Sequence, residues 1–134
     1  MRIAVIDGQG GGVGKQLVEK IKAGIPNASI LALGTNALAT AQMLKAGASE
    51  GATGENAIVY NAPRVDYIVG PYGIVMANAM LGELTPAMAE AIGSSSAIKI
   101  LIPINKCSVK IAGVKDMTLA QYIDDAVAYL GGLI

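Results

Sequence analysis

The apolar positions of this chain change period repeatedly, and each change marks an element. Arg2–Ile6 is a β-branched and aliphatic run, read as a strand. From Val13 to Lys22 the period becomes helical: Val13, Leu17, Val18 and Ile21 share one face, with Lys15, Gln16, Glu19 and Lys22 largely opposite. Gly24 and Pro26 stop that helix. Ser29–Leu33 is a second strand, and Asn36 is placed to cap a helix running to about Ala46, with Gly47 just beyond its end.

Thr53 to Ile58 reads as a cap and a short helix that ends before Pro63, followed by a third strand at Val65–Val69 and an exit loop, Gly70-Pro71-Tyr72-Gly73. Ile74–Leu81 reads as helical, and Thr85-Pro86 restarts a helix that ends near Gly93. Ala97–Ile102 is a fourth strand. Val109–Ala112 is a fifth, and the short turn at Asn105 and Lys106 makes it an antiparallel edge strand. Thr118 and Gln121 form a capping box for a last helix with a stripe of Leu119, Tyr122, Ile123, Ala126 and Leu130.

Strands alternating with helices require parallel pairing through right-handed crossovers. The expected fold is α/β: a three-layer Rossmann-like domain over residues 1–134, with a mostly parallel sheet in the order 3-2-1-4 and the antiparallel fifth strand at an edge. The third strand then lies beside the second, and the fourth beside the first. Four segments meet at the C-terminal ends of the strands: Asp7 to Gly14, Gly34 to Asn36, Gly70 to Gly73, and Pro103 to Lys106.

Composition narrows the chemistry. Of 134 residues, 53% are apolar and 15% charged, and 17 are glycine, which suits strands buried on both faces under closely packed helices. Ten basic and ten acidic residues are scattered, so no basic footprint for nucleic acid or an anionic membrane is visible. The uncharged stretch between Lys22 and Lys45 is broken by Pro26, Asn27, Gly34, Asn36 and Gln42, so it does not read as a membrane span. Asp7 and the glycines arrive too early for a secretory signal, and the expected location is cytoplasmic. With no histidine, imidazole-based triads and metal sites are excluded. A single cysteine, Cys107, excludes an internal disulfide and a C-x-x-C site, and reads as a buried, inert thiol.

Asp7-Gly8-Gln9-Gly10-Gly11-Gly12-Val13-Gly14 carries the functional expectation. Glycines between a strand and a helix start let backbone N–H groups converge on phosphate oxygens at the positive end of the helix. The competing reading is a tight turn that only allows close packing. G-x-G-x-x-G is absent, but Gly8, Gly12 and Gly14 fit G-x-x-x-G-x-G, which resembles the cofactor loop of short-chain dehydrogenases. Their catalytic Tyr-x-x-x-Lys helix has no counterpart, since Pro63 interrupts Tyr60 to Arg64. GGGVGK resembles the P-loop of ParA-like ATPases, but Gln9, Gly10 and Gln16 stand where that loop needs its first glycine, its extra lysine and its Mg²⁺-binding hydroxyl.

The candidate cofactor-binding residues are therefore Asp7, Gly8, Gln9, Gly10, Gly11, Gly12, Val13 and Gly14, with Thr35, Asn36, Gly70 and Gly73 lining the rest of the crevice. The ligand is a small phosphate-containing molecule, NAD(P) or another nucleotide, with no metal site and no catalytic residue assigned. Thr35 and Asn36 stand where an NAD site presents a carboxylate, and capping the second helix explains them equally well. Glu55 and Glu83 are candidates for a ribose contact, Mg²⁺ or acid–base work, against the simpler role of surface carboxylates. Asn78 is a polar interruption in an apolar run. Met76, Met80 and Met88 on charge-poor segments suggest core packing or a homodimer. Two alternatives stand beside nucleotide binding: an NAD(P)-dependent oxidoreductase subunit, and a non-catalytic oligomeric assembly module.

With DGQGGG at 7–12, LGTNALAT at 33–40, GATGENAI at 51–58, LGELTP at 81–86 and LIPINKC at 101–107, the chain resembles a family of short bacterial proteins known as a domain of unknown function. The resemblance implies no activity, substrate or catalytic residue.

Overall fold

A computed structural model describes residues 1–104 and 108–134. The expectations for Asn105, Lys106 and Cys107 fall outside the described residues. Five strands, β1 (Arg2–Asp7), β2 (Ser29–Gly34), β3 (Glu50–Thr53), β4 (Tyr67–Pro71) and β5 (Ile98–Ile102), alternate with five helices, α1 (Gly12–Gly24), α2 (Ala37–Lys45), α3 (Glu55–Asn61), α4 (Pro86–Ser94) and α5 (Leu119–Leu133). The sheet order is β3-β2-β1-β4-β5. Every neighbouring pair is parallel.

Side chains of β1 alternate between the two faces of the sheet. Ile3 and Val5 join a core with Leu17, Ile21, Met43 and Ile123 from α1, α2 and α5. Ala4 and Ile6 join another with Ile58, Met88 and Ile92 from α3 and α4. Burial on both faces is what makes this strand read as an unbroken apolar run.

Three expectations change. Glu50–Thr53, given no element by the sequence apart from Thr53 as a helix cap, is the edge strand β3. Its sequence EGAT gives no apolar signal because three of its four residues are exposed, and it is held by β2, the Arg2–Glu50 ion pair and a Thr53–Thr40 hydrogen bond. This inserted strand takes the third position, so the strand expected at Val65–Val69 forms β4 beside β1, and the one expected at Ala97–Ile102 forms β5 beside β4. The expected 3-2-1-4 order holds, with different segments in its third and fourth places.

The antiparallel fifth strand is not borne out: Val109–Ala112 has no strand pairing, and the fifth strand is parallel. Ile74–Leu81 is not a helix. A 3₁₀ turn at Tyr72–Val75 leads into a tight reversal in which Asn78, Met80, Leu81 and Gly82 all have positive φ. That run has no polar face to direct a helix. Ile74 and Leu84 are fully buried anchors on either side, while Leu81 is 100% exposed.

α4 and α5 start where expected, with Thr85 and Thr118 as N-caps and the Thr118–Gln121 capping box complete. No helix among the described residues is long and apolar enough to cross a membrane.

Candidate functional site

The sheet reverses direction of growth between β1 and β4, and the glycine loop leaves β1 at that point. Asp7 ends β1 and is buried. Its Oδ1 accepts the N–H of Gly8 at 2.8 Å and its Oδ2 the N–H of Gly14, in the first turn of α1, at 2.6 Å. The carboxylate thus closes the loop on itself and caps α1 from outside the helix. Burial pushes the Asp7 carboxyl above the ordinary aspartate value, with the nearby Glu83 charge adding to the rise, while the N–H groups of Gly14, Gly8 and Val13 oppose it.

The glycines divide into two sets. A Cβ on Gly8 would meet Thr35 Oγ1 at 2.5 Å and Met80 Sδ at 2.6 Å. On Gly11, whose φ is +76°, it would meet the Ala39 Cα at 2.8 Å, and on Gly14 it would meet Met43 Sδ at 2.6 Å and Asp7 Cβ at 2.8 Å. These three serve packing of the loop, Gly8 against Thr35 and the reversal at 76–84, Gly11 and Gly14 against α2 and the end of β1. At Gly10 and Gly12 nothing lies within 4 Å of that position. Among the described residues, no acceptor meets their N–H groups.

The open side of Gly10 and Gly12 faces a cavity of about 520 Å³. Its walls are apolar, chiefly Val13, Pro71, Met80, Leu81, Ile104 and Leu119, and Gln16 and Gln9 supply amides. Asp7 is the one ionisable side chain among the described residues lining it. The size and the apolar walls with few polar groups match small-molecule pockets.

Of the expected site residues, Asp7 to Val13 and Gly73 line this cavity. Gly14 lies beneath it, donating to Asp7. Gly70 does not reach it, because it is packed in β4 against the Ile6 carbonyl. Thr35 and Asn36 are also turned elsewhere. Asn36 Oδ1 caps α2 by accepting from Ala39 N, while its Nδ2 donates to the Gln9 carbonyl and to Glu83 Oε1 at 2.6 Å. Thr35 Oγ1 donates to the same Glu83 oxygen at 2.5 Å, and Gln9 N does so at 2.8 Å. These donors, the Thr35 hydroxyl foremost, hold the Glu83 carboxyl below the ordinary glutamate value.

Glu55, by contrast, is exposed in the first turn of α3, where a carboxylate favours the helix dipole. Gln16 was not expected here, although its place one helical turn beyond Gly12 was a signal that could have found it. Leu119 and Ile104 carry no local signal, since the fold alone brings them there.

Comparison with solved structures gives a dodecameric FMN-dependent Ubix-like decarboxylase from Escherichia coli O157:H7, 15% identical over 98% of this chain and 76% of that chain, with a TM-score of 0.49. No curated protein sequence matches the chain. Family comparison matches residues 2–133, nearly the whole length, and the chain belongs to the family described as Domain of unknown function (DUF3842).

Proposed function

We propose that the cavity over the glycine loop binds a nucleotide-like ligand, with a phosphate against the N–H groups of Gly10 and Gly12 and the organic body against Pro71, Met80 and Leu119. One observation carries this reading: the packing of the fold explains Gly8, Gly11 and Gly14 but leaves Gly10 and Gly12 facing open space with unengaged donors. Glycines that packing does not require fit a backbone approached by something else, and the start of α1 adds a favourable dipole. Binding, not turnover, is the activity proposed, because Asp7, the one carboxylate among the described residues lining the cavity, is committed to two loop N–H groups.

Calorimetric titration with AMP, FMN, NAD and NADP tests it, beside native mass spectrometry for a retained ligand. Gly12→Val puts a branched side chain into the cavity with no Cβ clash. It should weaken binding about 100-fold, or roughly 2.7 kcal/mol, while stability changes by less than about 1 kcal/mol. A wild-type protein that binds none of the four would overturn the proposal.

A homo-oligomer is a second reading, favoured by the exposed apolar side chains of β5 and α5: Ile98 is 47% exposed, Tyr129 66% and Leu133 40%. β3 at the opposite edge is short and carries Glu50, whereas β5 reads IKILI. Sedimentation velocity should show an assembly that Tyr129→Glu dissociates. A monomer at all accessible concentrations removes this reading.

A further inference from the structure

In a doubly wound sheet a dinucleotide spans both sides of the strand reversal, and the end of the second strand reads the ribose of one half. The two halves of that crevice differ in this chain. On the β4 side the cavity opens over Gly10, Gly12 and Gly73. On the β2 side the space over Gly8 is filled by Thr35 Oγ1, Met80 Sδ and Glu83 Oε1, each within 3.1 Å of where a Cβ would stand. Glu83 Oε1 also takes the Thr35 hydroxyl, the Asn36 amide and the Gln9 N–H. Those are the groups at the end of β2 and in the loop that would otherwise meet a ribose.

Met80 and Glu83 reach this position because of the unusual turn that carries them. Asn78, Met80 and Leu81 are left-handed without being glycine, a conformation that persists only where surrounding structure enforces it. Backbone hydrogen bonds from Asn78 to Leu84, Gly82 to Asn78, Glu83 to Met80 and Leu84 to Ala79 enforce it here, with Leu84 fully buried. The strain aims two side chains of one turn at the same half of the crevice.

We infer that Met80 and Glu83 are an internal plug of the β2 half of the crevice, a specificity determinant that restricts the site to ligands carrying a single nucleotide. The inference rests on the nucleotide reading above.

Matched pairs test it on the full chain: AMP against NAD, and FMN against FAD, by calorimetry, with ¹⁵N amide shifts as a map. Wild type should bind at least one mononucleotide about tenfold or more tightly than its dinucleotide partner. The mononucleotide should shift Gly10, Gly12 and Gly73 while sparing Thr35 and Asn36. The double variant Met80→Ala/Glu83→Ala should narrow the ratio about tenfold by strengthening dinucleotide binding, and Glu83→Gln, which keeps an accepting oxygen, should retain the wild-type preference. Should the double variant fail to fold, the wild-type map decides, because dinucleotide-induced shifts at Thr35 and Asn36 would mean that the turn swings out and would overturn the plug. Equal binding of matched pairs by wild type overturns the plug and leaves the nucleotide site standing. Binding of none of these four, nor of NADP, overturns the nucleotide reading and the plug with it.

Discussion

Gly70→Ala will destabilise the fold by about 3 kcal/mol or more, the upper end of what overpacking costs in a core without relief. Gly70 lies in β4, with β1 on one side and Leu101 of β5 on the other. A methyl group there would press on the Ile6 carbonyl oxygen and stand 3.0 Å from Ile74 Cδ1. Ile6 and Ile74 are both fully buried. β1 is paired on both flanks, so the carbonyl has no direction in which to retreat. At Gly73, three residues later, the same methyl would meet Ala79 Cβ at 3.4 Å and Met80 Cε at 3.7 Å, which is ordinary contact. Gly73→Ala should therefore stay within about 0.5 kcal/mol of wild type. Urea unfolding of the two variants reads the difference, and a Gly70→Ala midpoint equal to wild type would contradict the seating of β4 against β1.

That pair of glycines shows where the sequence stops being legible. Both follow the strand expected at Val65–Val69 and look alike as residues of a crevice loop. What separates them is the distance of Ile6 and Ala79, and no local pattern contains it. The same holds within the glycine loop, where Gly8, Gly11 and Gly14 are committed by Thr35, Ala39 and Met43, residues more than twenty positions away. β1, α1, β2 and α2 were readable because strong apolar periodicity and local caps agree. β3 was not, because a short exposed edge strand has little to bury, and missing it put the strand at Val65–Val69 on the wrong side of β1 and the one at Ala97–Ile102 one place too close to β1. The reversal at 76–84 was unreadable for another reason. An apolar run normally signals burial in a helix or strand, but here left-handed residues and backbone hydrogen bonds expose Leu81. Glu83 stood out beforehand only as a carboxylate beside a glycine. Its contacts with Gln9, Thr35 and Asn36 span 47 to 74 positions of sequence, a distance that only the assembled sheet closes.

Removing the Asp7 side chain is the second large change expected. Asp7→Ala leaves the N–H groups of Gly8 and Gly14 without their acceptor inside a buried site. Each such loss costs about 1–3 kcal/mol, and the relief of burying a charge offsets part of it, so a net loss of about 2–4 kcal/mol at neutral pH is expected. Asp7→Asn isolates the charge from the shape. Burial raises the Asp7 carboxyl in the folded protein above its ordinary 3.8, so the folded state favours the protonated form. A raised value means that the stabilising contribution is fully present below the unfolded-state value and is lost as pH rises through the folded one. The stability advantage of wild type over Asp7→Asn should accordingly be larger at pH ~3 than at pH ~7. Glu83 has the opposite sign: its lowered value gives stability that is present above its ordinary 4.5 and disappears as pH falls through the folded value. It is common to both proteins, as is every other carboxylate, so the difference between paired urea titrations reports Asp7 together with its coupling to Glu83. An advantage that widens as pH rises would mean that the loop N–H groups outweigh burial, and that Asp7 stabilises the loop through its charge rather than despite it.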